Sequence, residues 1–132
     1  VMHGDYRLDN LLFDVRGESN VFILDWGTVA YAPGARDISY FIGASLDAAQ
    51  RKEHEADLVR VYYDTLSSFP VGGYSWKECW RDYRRFCFQG FFTGVAAPMM
   101  VERSDRADQL FLAMVRNYSE QIATLGGFSF WE

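Results

Sequence analysis

The sequence predicts an α+β fold, mainly α, in which one β-hairpin packs at the edge of four or so helices. Three observations lead there. Two short apolar runs, Leu11-Leu12-Phe13 and Val21-Phe22-Ile23-Leu24, flank a segment with Gly17 inside it, which is the pattern of a hairpin. Beyond residue 37, apolar residues recur at three- and four-residue steps between capping residues and glycines, which is the pattern of helices. A chain of 132 residues that is 49% apolar and 17% aromatic is long and apolar enough to bury one sizeable core. Residues 1–132 are therefore read as a single domain, and disorder is excluded.

The hairpin comes first. Its turn spans residues 14–20, and polar residues stand at its open end: Asp5 and Asn10 before the first run, Asp25 after the second. Pairing the two runs brings these three side chains to one end of the hairpin. After Asp25 a loop over residues 28–36 turns at Pro33-Gly34. Asp37 then caps a short helix over residues 38–46, with Tyr40, Phe41 and Leu46 as its apolar positions.

Asp47 with Gln50 marks a second helix start, running to residue 67, with Leu58, Val59, Tyr62, Tyr63 and Leu66 on its apolar face. Arg51, Lys52, Glu53, Glu55 and Asp57 are read as its solvated face, and His54 as exposed. Residues 70–74 break the pattern. Ser75 with Glu78 then forms a capping box that opens a third, long helix reaching to Pro98. Trp76, Trp80, Tyr83, Cys87, Phe91 and Val95 line it as a core stripe, and Gly90 and Gly94 predict that another helix approaches closely there. Ser104 or Asp105 caps the last helix, which stops at Gly126-Gly127. Leu110, Phe111, Met114, Val115, Tyr118, Ile122 and Leu125 are its buried stripe. The apolar tail, residues 128–131, is expected to dock on the body or on another chain.

Charge and cysteine content narrow the class. Eighteen acidic against thirteen basic residues give a net charge of -5 with no basic stripe, so nucleic acid is excluded as a partner. The most apolar window, residues 86–101, is too short to span a bilayer and contains Pro98, so no membrane partner is expected. Val1-Met2-His3 runs directly into polar residues without a signal peptide. Cys79 and Cys87, about 12 Å apart on one helix, are read as core thiols in a reducing cytoplasm rather than as a disulfide or a metal pair.

The hairpin end carries the chemistry. His3-Gly4-Asp5 followed by Asn10 has the Asp-to-Asn spacing of the kinase catalytic loop H-R-D-x-x-x-x-N, and Asp25-Trp26-Gly27 stands where that fold carries D-F-G. Gly4 in place of Arg moves the match away from protein kinases. The run His3-Gly4-Asp5 to Asn10-Leu11-Leu12-Phe13, then Ile23-Leu24-Asp25-Trp26, then Gly34 and Asp37-Ile38, resembles the aminoglycoside phosphotransferase and choline kinase type family. The resemblance covers residues 1–46 by motif.

That resemblance implies the C-terminal lobe of a protein-kinase-like fold. Residues 1–37 would form the catalytic loop, hairpin and metal-binding segment, and residues 38–132 a helical subdomain. The implied reaction is transfer of the γ-phosphate of ATP to a hydroxyl of a small-molecule substrate. In the family pattern Asp5 is the catalytic base, and Asn10 and Asp25 hold Mg²⁺ and the nucleotide phosphates. Arg7 touches the transferred phosphate or is a surface residue. His3 is an internal hydrogen-bonding residue, and Asp37 braces the loop, a role compatible with capping the helix.

No segment before Val1 supplies a nucleotide-binding N-terminal lobe, and no G-x-G-x-x-G occurs, so the chain alone is expected to be inactive. The alternative is a non-catalytic module that associates, as a homo-oligomer among other forms, through the apolar surface such a lobe would cover. A metal-dependent hydrolase built on Asp5, Asp9, Asn10 and Asp25 is a third reading.

Overall fold

A computed structural model describes residues 1–14, 16–17 and 20–130. Strands β1 (Leu11–Phe13) and β2 (Val21–Ile23) pair antiparallel, with Leu11 opposite Ile23 and Phe13 opposite Val21. Asp14 N donates to Asn20 O at 3.0 Å to close the turn. Val15, Glu18 and Ser19, in the predicted turn, lie outside the described residues. Pairing continues past the strands, since Leu24 N donates to Asn10 O at 2.9 Å. A second clasp joins Met2 to Ala30, whose backbones exchange bonds of 2.8 and 3.1 Å.

Helix α1 (Ala35–Ser45) starts earlier than the sequence suggests. Its N-cap is Gly34, so Asp37 lies within the first turn and does not cap it; the Asp37 carboxylate is taken up by the His3-Gly4 backbone instead. Helices α2 (Ala48–Ser67) and α3 (Trp76–Arg85) both open on reciprocal capping boxes, Asp47 with Gln50 and Ser75 with Glu78.

The expected third long helix is in fact two. The chain tightens at Phe86-Cys87, where Gln89 N bonds back to Phe86 O at 3.0 Å, and restarts as α4 (Phe88–Ala96). Cys79 lies within α3 and Cys87 in the break, at the N-cap of α4; both are buried free thiols. The break also lets α4 set its glycine face against α5 (Asp105–Thr124), whose N-cap is Ser104. A methyl group on Gly90 would lie 2.0 Å from the Tyr118 ring, and one on Gly94 3.0 Å from Val115, so the close approach read from the two glycines is present. Beyond α5 a short turn, Gly127–Phe130, sets Phe128 edge-on to Phe88 at 5.6 Å. Trp131 lies outside the described residues.

The main core joins Ala35, Ile42, Val59, Cys79, Tyr83, Cys87, Ile122 and Leu125. A smaller cluster, Tyr40, Met114 and Tyr118, lies beside the loop that carries Asp5. Two residues assigned to solvent are in fact interior: Arg51 is 2% exposed and Glu55 8%. Glu55 accepts from the Tyr83 hydroxyl at 2.6 Å, and Gln121 Nε2 donates to that hydroxyl at 3.1 Å and to Ser39 O at 3.3 Å. Arg51 donates to Leu46 O at 2.7 Å and pairs with Glu120 at 3.4 Å. These partners come from other helices, so a charge pattern within α2 could not show them. Leu58, Val95 and Leu110, expected inside, are exposed. Among the described residues no helix is long and apolar enough to cross a membrane.

Candidate functional site

The loop holding Asp5 is fixed by its backbone. Gly4 has φ +92°, and a Cβ there would sit 2.4 Å from Thr28 O, so the position takes only glycine without rearrangement. The Asp37 carboxylate, in the first turn of α1, accepts from His3 N at 2.6 Å and Gly4 N at 2.8 Å. Thr28 Oγ1 donates to His3 O at 3.0 Å, and Gln89 Nε2, from α4, donates to Gly4 O at 3.1 Å. Gln89 in turn accepts from Arg36 Nε.

His3 is buried and bridges the two halves of the loop. Its Nε2 lies 2.8 Å from Leu24 O, which only accepts, and Asp5 N–H approaches its Nδ1 at 3.3 Å and only donates. These partners assign the neutral tautomer with hydrogen on Nε2. Its ring meets Trp26 edge-on at 4.8 Å.

Asp5 and Asn10 are in direct contact: Asn10 Nδ2 donates to Asp5 Oδ2 and Asp5 O, both at 2.9 Å. Arg7 Nε lies 3.3 Å from Asp5 Oδ2, close enough for ion pairing but out of line for a hydrogen bond. Its other end reaches the exposed Asp9 at 3.7 Å. Burial first, and the Asp5 carboxylate second, push the Tyr40 phenol up to about 12, so Tyr40 stays protonated as a donor facing Asp5 and Thr93.

Asp25 is held differently. It sits in the left-handed region (φ 57°, ψ 66°), is exposed, and among the described residues accepts only from Gly27 N at 3.4 Å. It follows Leu24, whose N–H bonds Asn10, so the hairpin register sets it at the same end as Asn10, though it shares no hydrogen bond with Asn10 or Asp5. Non-glycine residues adopt this conformation rarely, Asp and Asn most readily.

The donor set fits a hard cation. With its amide nitrogen turned to Asp5, Asn10 Oδ1 meets no protein donor among the described residues, and the Asp25 carboxylate is nearly free. Among the described residues no three His, Cys, Asp or Glu side chains gather into a closed metal cage. Mg²⁺ commonly binds through one or two side-chain oxygens plus substrate phosphates.

A cleft of about 370 Å³ opens at Asp5, walled by Thr28, Tyr40, Thr93, Leu110, Phe111 and Met114. A neighbouring hollow of about 280 Å³ shares Arg7, Tyr40, Leu110 and Met114 with it. Motif reading missed Tyr40, Gln89, Thr93 and Thr28. Tyr40 and Gln89 occupy ordinary helix positions, and only the fold brings them to the loop.

A helix-backed loop with Asp and Asn in contact, closed by a hairpin that returns an exposed Asp, defines a kinase-like protein. The sequence matches the ecdysteroid kinase-like family over residues 1–69, just over half of the chain, and the chain belongs to that family. The match supports the kinase-like part of the resemblance and does not extend to the aminoglycoside phosphotransferase or choline kinase type. Comparison with curated proteins and with solved structures gives no match.

Proposed function

We propose that this chain carries the catalytic centre of a phosphotransferase that moves the γ-phosphoryl group of ATP to a hydroxyl of a small-molecule acceptor. The reading is carried by the Asp5–Asn10 contact at the mouth of the 370 Å³ cleft, with Asp25 returned to that end by the hairpin. Asp5 takes the hydroxyl proton as the acceptor oxygen bonds to the γ-phosphorus and the bond to the β–γ bridging oxygen breaks. Arg7, beside Asp5, offers positive charge to the transferred group. Asn10 Oδ1 and the Asp25 carboxylate would hold Mg²⁺, which when bound would neutralise charge on the phosphate oxygens. His3 and Asp37 keep the loop backbone in place.

This is the chemistry of the aminoglycoside phosphotransferase and choline kinase type, with a different acceptor. The net acidity of the chain is compatible with a cation, but the walls of Leu110, Phe111, Met114 and Tyr40 favour an alcohol on an apolar skeleton. The family's name, ecdysteroid kinase-like, points the same way, since an ecdysteroid carries hydroxyls on a steroid frame. Buried free thiols and a need for ATP fit the cytoplasm.

Calorimetric titration with ATP and Mg²⁺ tests the site. Saturable, Mg²⁺-dependent uptake is expected, with at least about tenfold weaker binding in Asp25→Asn, the loss of one charge-assisted contact. Asn tolerates the left-handed backbone, so the variant removes charge without removing the turn. A folded chain that takes up no Mg²⁺-ATP, or an Asp25→Asn variant that binds equally well, would overturn the assignment.

A second reading has its own observation. Leu12, Phe13 and Phe22 on the hairpin and Trp26 just after it are each at least half exposed, and apolar surface of this kind on the two faces of a thin hairpin favours association with another chain, a second copy included. Light scattering of the wild type beside Phe13→Ser separates the two. A dimer that the substitution dissolves supports association, and a monomer at all concentrations removes it.

A further inference from the structure

A second cleft, of about 370 Å³, lies at the joint of α3 and α4 and is lined by Arg36, Arg85, Phe86, Phe88, Gln89 and Phe92, with Thr93 shared with the Asp5 cleft. No carboxylate lines it. In a chain with more acid than base, Arg7, Arg51, Arg60, Arg81 and Arg103 all lie against Asp or Glu. Among the described residues the two arginines of this cleft do not, nor do the surface residues Arg106 and Arg116, but of these four only Arg36 and Arg85 share one concavity. Arg85, the last residue of α3, is exposed, and its side chain has neither hydrogen bond nor ion pair among the described residues. Arg36 spends only Nε, on the neutral Gln89 amide, and its two terminal nitrogens meet no acceptor among the described residues.

Phe92 is 64% exposed at the rim, and Phe86 is half-buried beside it. Guanidinium groups present paired donors in a plane that matches a carboxylate, and they stack on flat π-systems. Phenyl walls take an aromatic body.

We propose that this cleft is a binding site for a small aromatic carboxylate, the acid group seated between Arg36 and Arg85 and the ring against Phe86 and Phe92. It adjoins the Asp5 cleft through Thr93 but is lined by different charged groups, and it stands whether or not the phosphoryl-transfer reading holds. The charge excludes a cationic ligand, and the aromatic walls select against a bare inorganic anion.

The test is a titration of the isotope-labelled 132-residue chain with naphthoate, followed by backbone amide spectra, with naphthamide and inorganic phosphate in parallel. Saturable shifts centred on residues 36 and 85–93 are expected for naphthoate only. Arg85→Gln, at an exposed position without intramolecular partners, should keep the native spectrum and weaken naphthoate about tenfold or more, as the loss of one charged contact implies. Naphthamide or phosphate binding as well as naphthoate, shifts centred on the hairpin instead, or an unchanged affinity in Arg85→Gln would each overturn the proposal.

Discussion

At Gly4 a single residue decides whether the loop can form. Its φ of +92° costs a side chain about 1–2 kcal/mol, and the Thr28 carbonyl 2.4 Å from the would-be Cβ adds a contact that backbone must absorb. Gly4→Ala is therefore expected to lower the melting temperature and to weaken Mg²⁺-ATP binding together, since the same backbone positions Asp5. A variant melting like the wild type would show that the loop has room that the geometry denies it. The contact of Asp5 with Asn10 and the return of Asp25 to the same end were legible because the motif is local and its spacing survives without any knowledge of the fold, whereas the left-handed backbone of Gly4 was not read from the sequence. Tyr40 and Gln89 were not. Each reaches the loop from a helix tens of residues away, through a hydroxyl or an amide that sequence spacing does not reveal. Glu55 was misread for the same reason, because its partners Tyr83 and Gln121 lie on α3 and α5.

Among the elements, α4 positions most by packing. Caps made the starts of α2, α3 and α5 readable, because a capping side chain and the backbone N–H it satisfies lie within three residues of each other. The break at Phe86-Cys87 was invisible, since the apolar stripe runs through it without a Pro or Gly. Past the break, Gly90 admits the ring of Tyr118, which stacks on Tyr40 at 5.7 Å and donates to Tyr40 O at 2.6 Å. Gly90 thus helps fix the phenol that faces Asp5. Gly90→Ala sets two effects against each other: a gain of about 1 kcal/mol in helix propensity, and an overpacking cost of about 1–3 kcal/mol. With a ring 2.0 Å from the new methyl and no exit for it, overpacking wins. Chemical denaturation should show net destabilisation of Gly90→Ala, while Gly72→Ala, with nothing within 4 Å, serves as the near-neutral reference.

Over the whole molecule, the buried phenols and the Cys87 thiol hold their protons tightly beside the few interior charges such as Arg51 and Glu55, and this sets its response to alkaline pH. Tyr40 and Tyr62 are pushed from 10.0 up to about 12, and Cys87 from 9.0 up to about 12, in each case chiefly by burial. Tyr83 and Tyr118 are pushed further in the same direction, Tyr83 also by the Glu55 carboxylate it donates to. A raised folded-state value means that the native state holds its proton where the unfolded chain has released it. The unfolded state then binds fewer protons, and stability falls as pH rises. The contribution is complete below about pH 8, where neither state has lost these protons. It declines as pH climbs from there towards 12, the thiol part first and the phenol part above about pH 9. Melting temperature should accordingly hold level up to about pH 8 and drop increasingly steeply above it, with phenolate absorbance rising in a cooperative step that coincides with loss of helical ellipticity. Tyr83→Phe gives the internal check. It removes the hydroxyl that satisfies buried Glu55, so it should cost about 1–3 kcal/mol at neutral pH, and it should make the alkaline decline shallower because one raised group is gone. A smooth phenolate titration preceding unfolding would mean that the tyrosines ionise in place, and that the interior is wetter than a core of stacked Trp80, Tyr83, Tyr40 and Tyr118 rings allows.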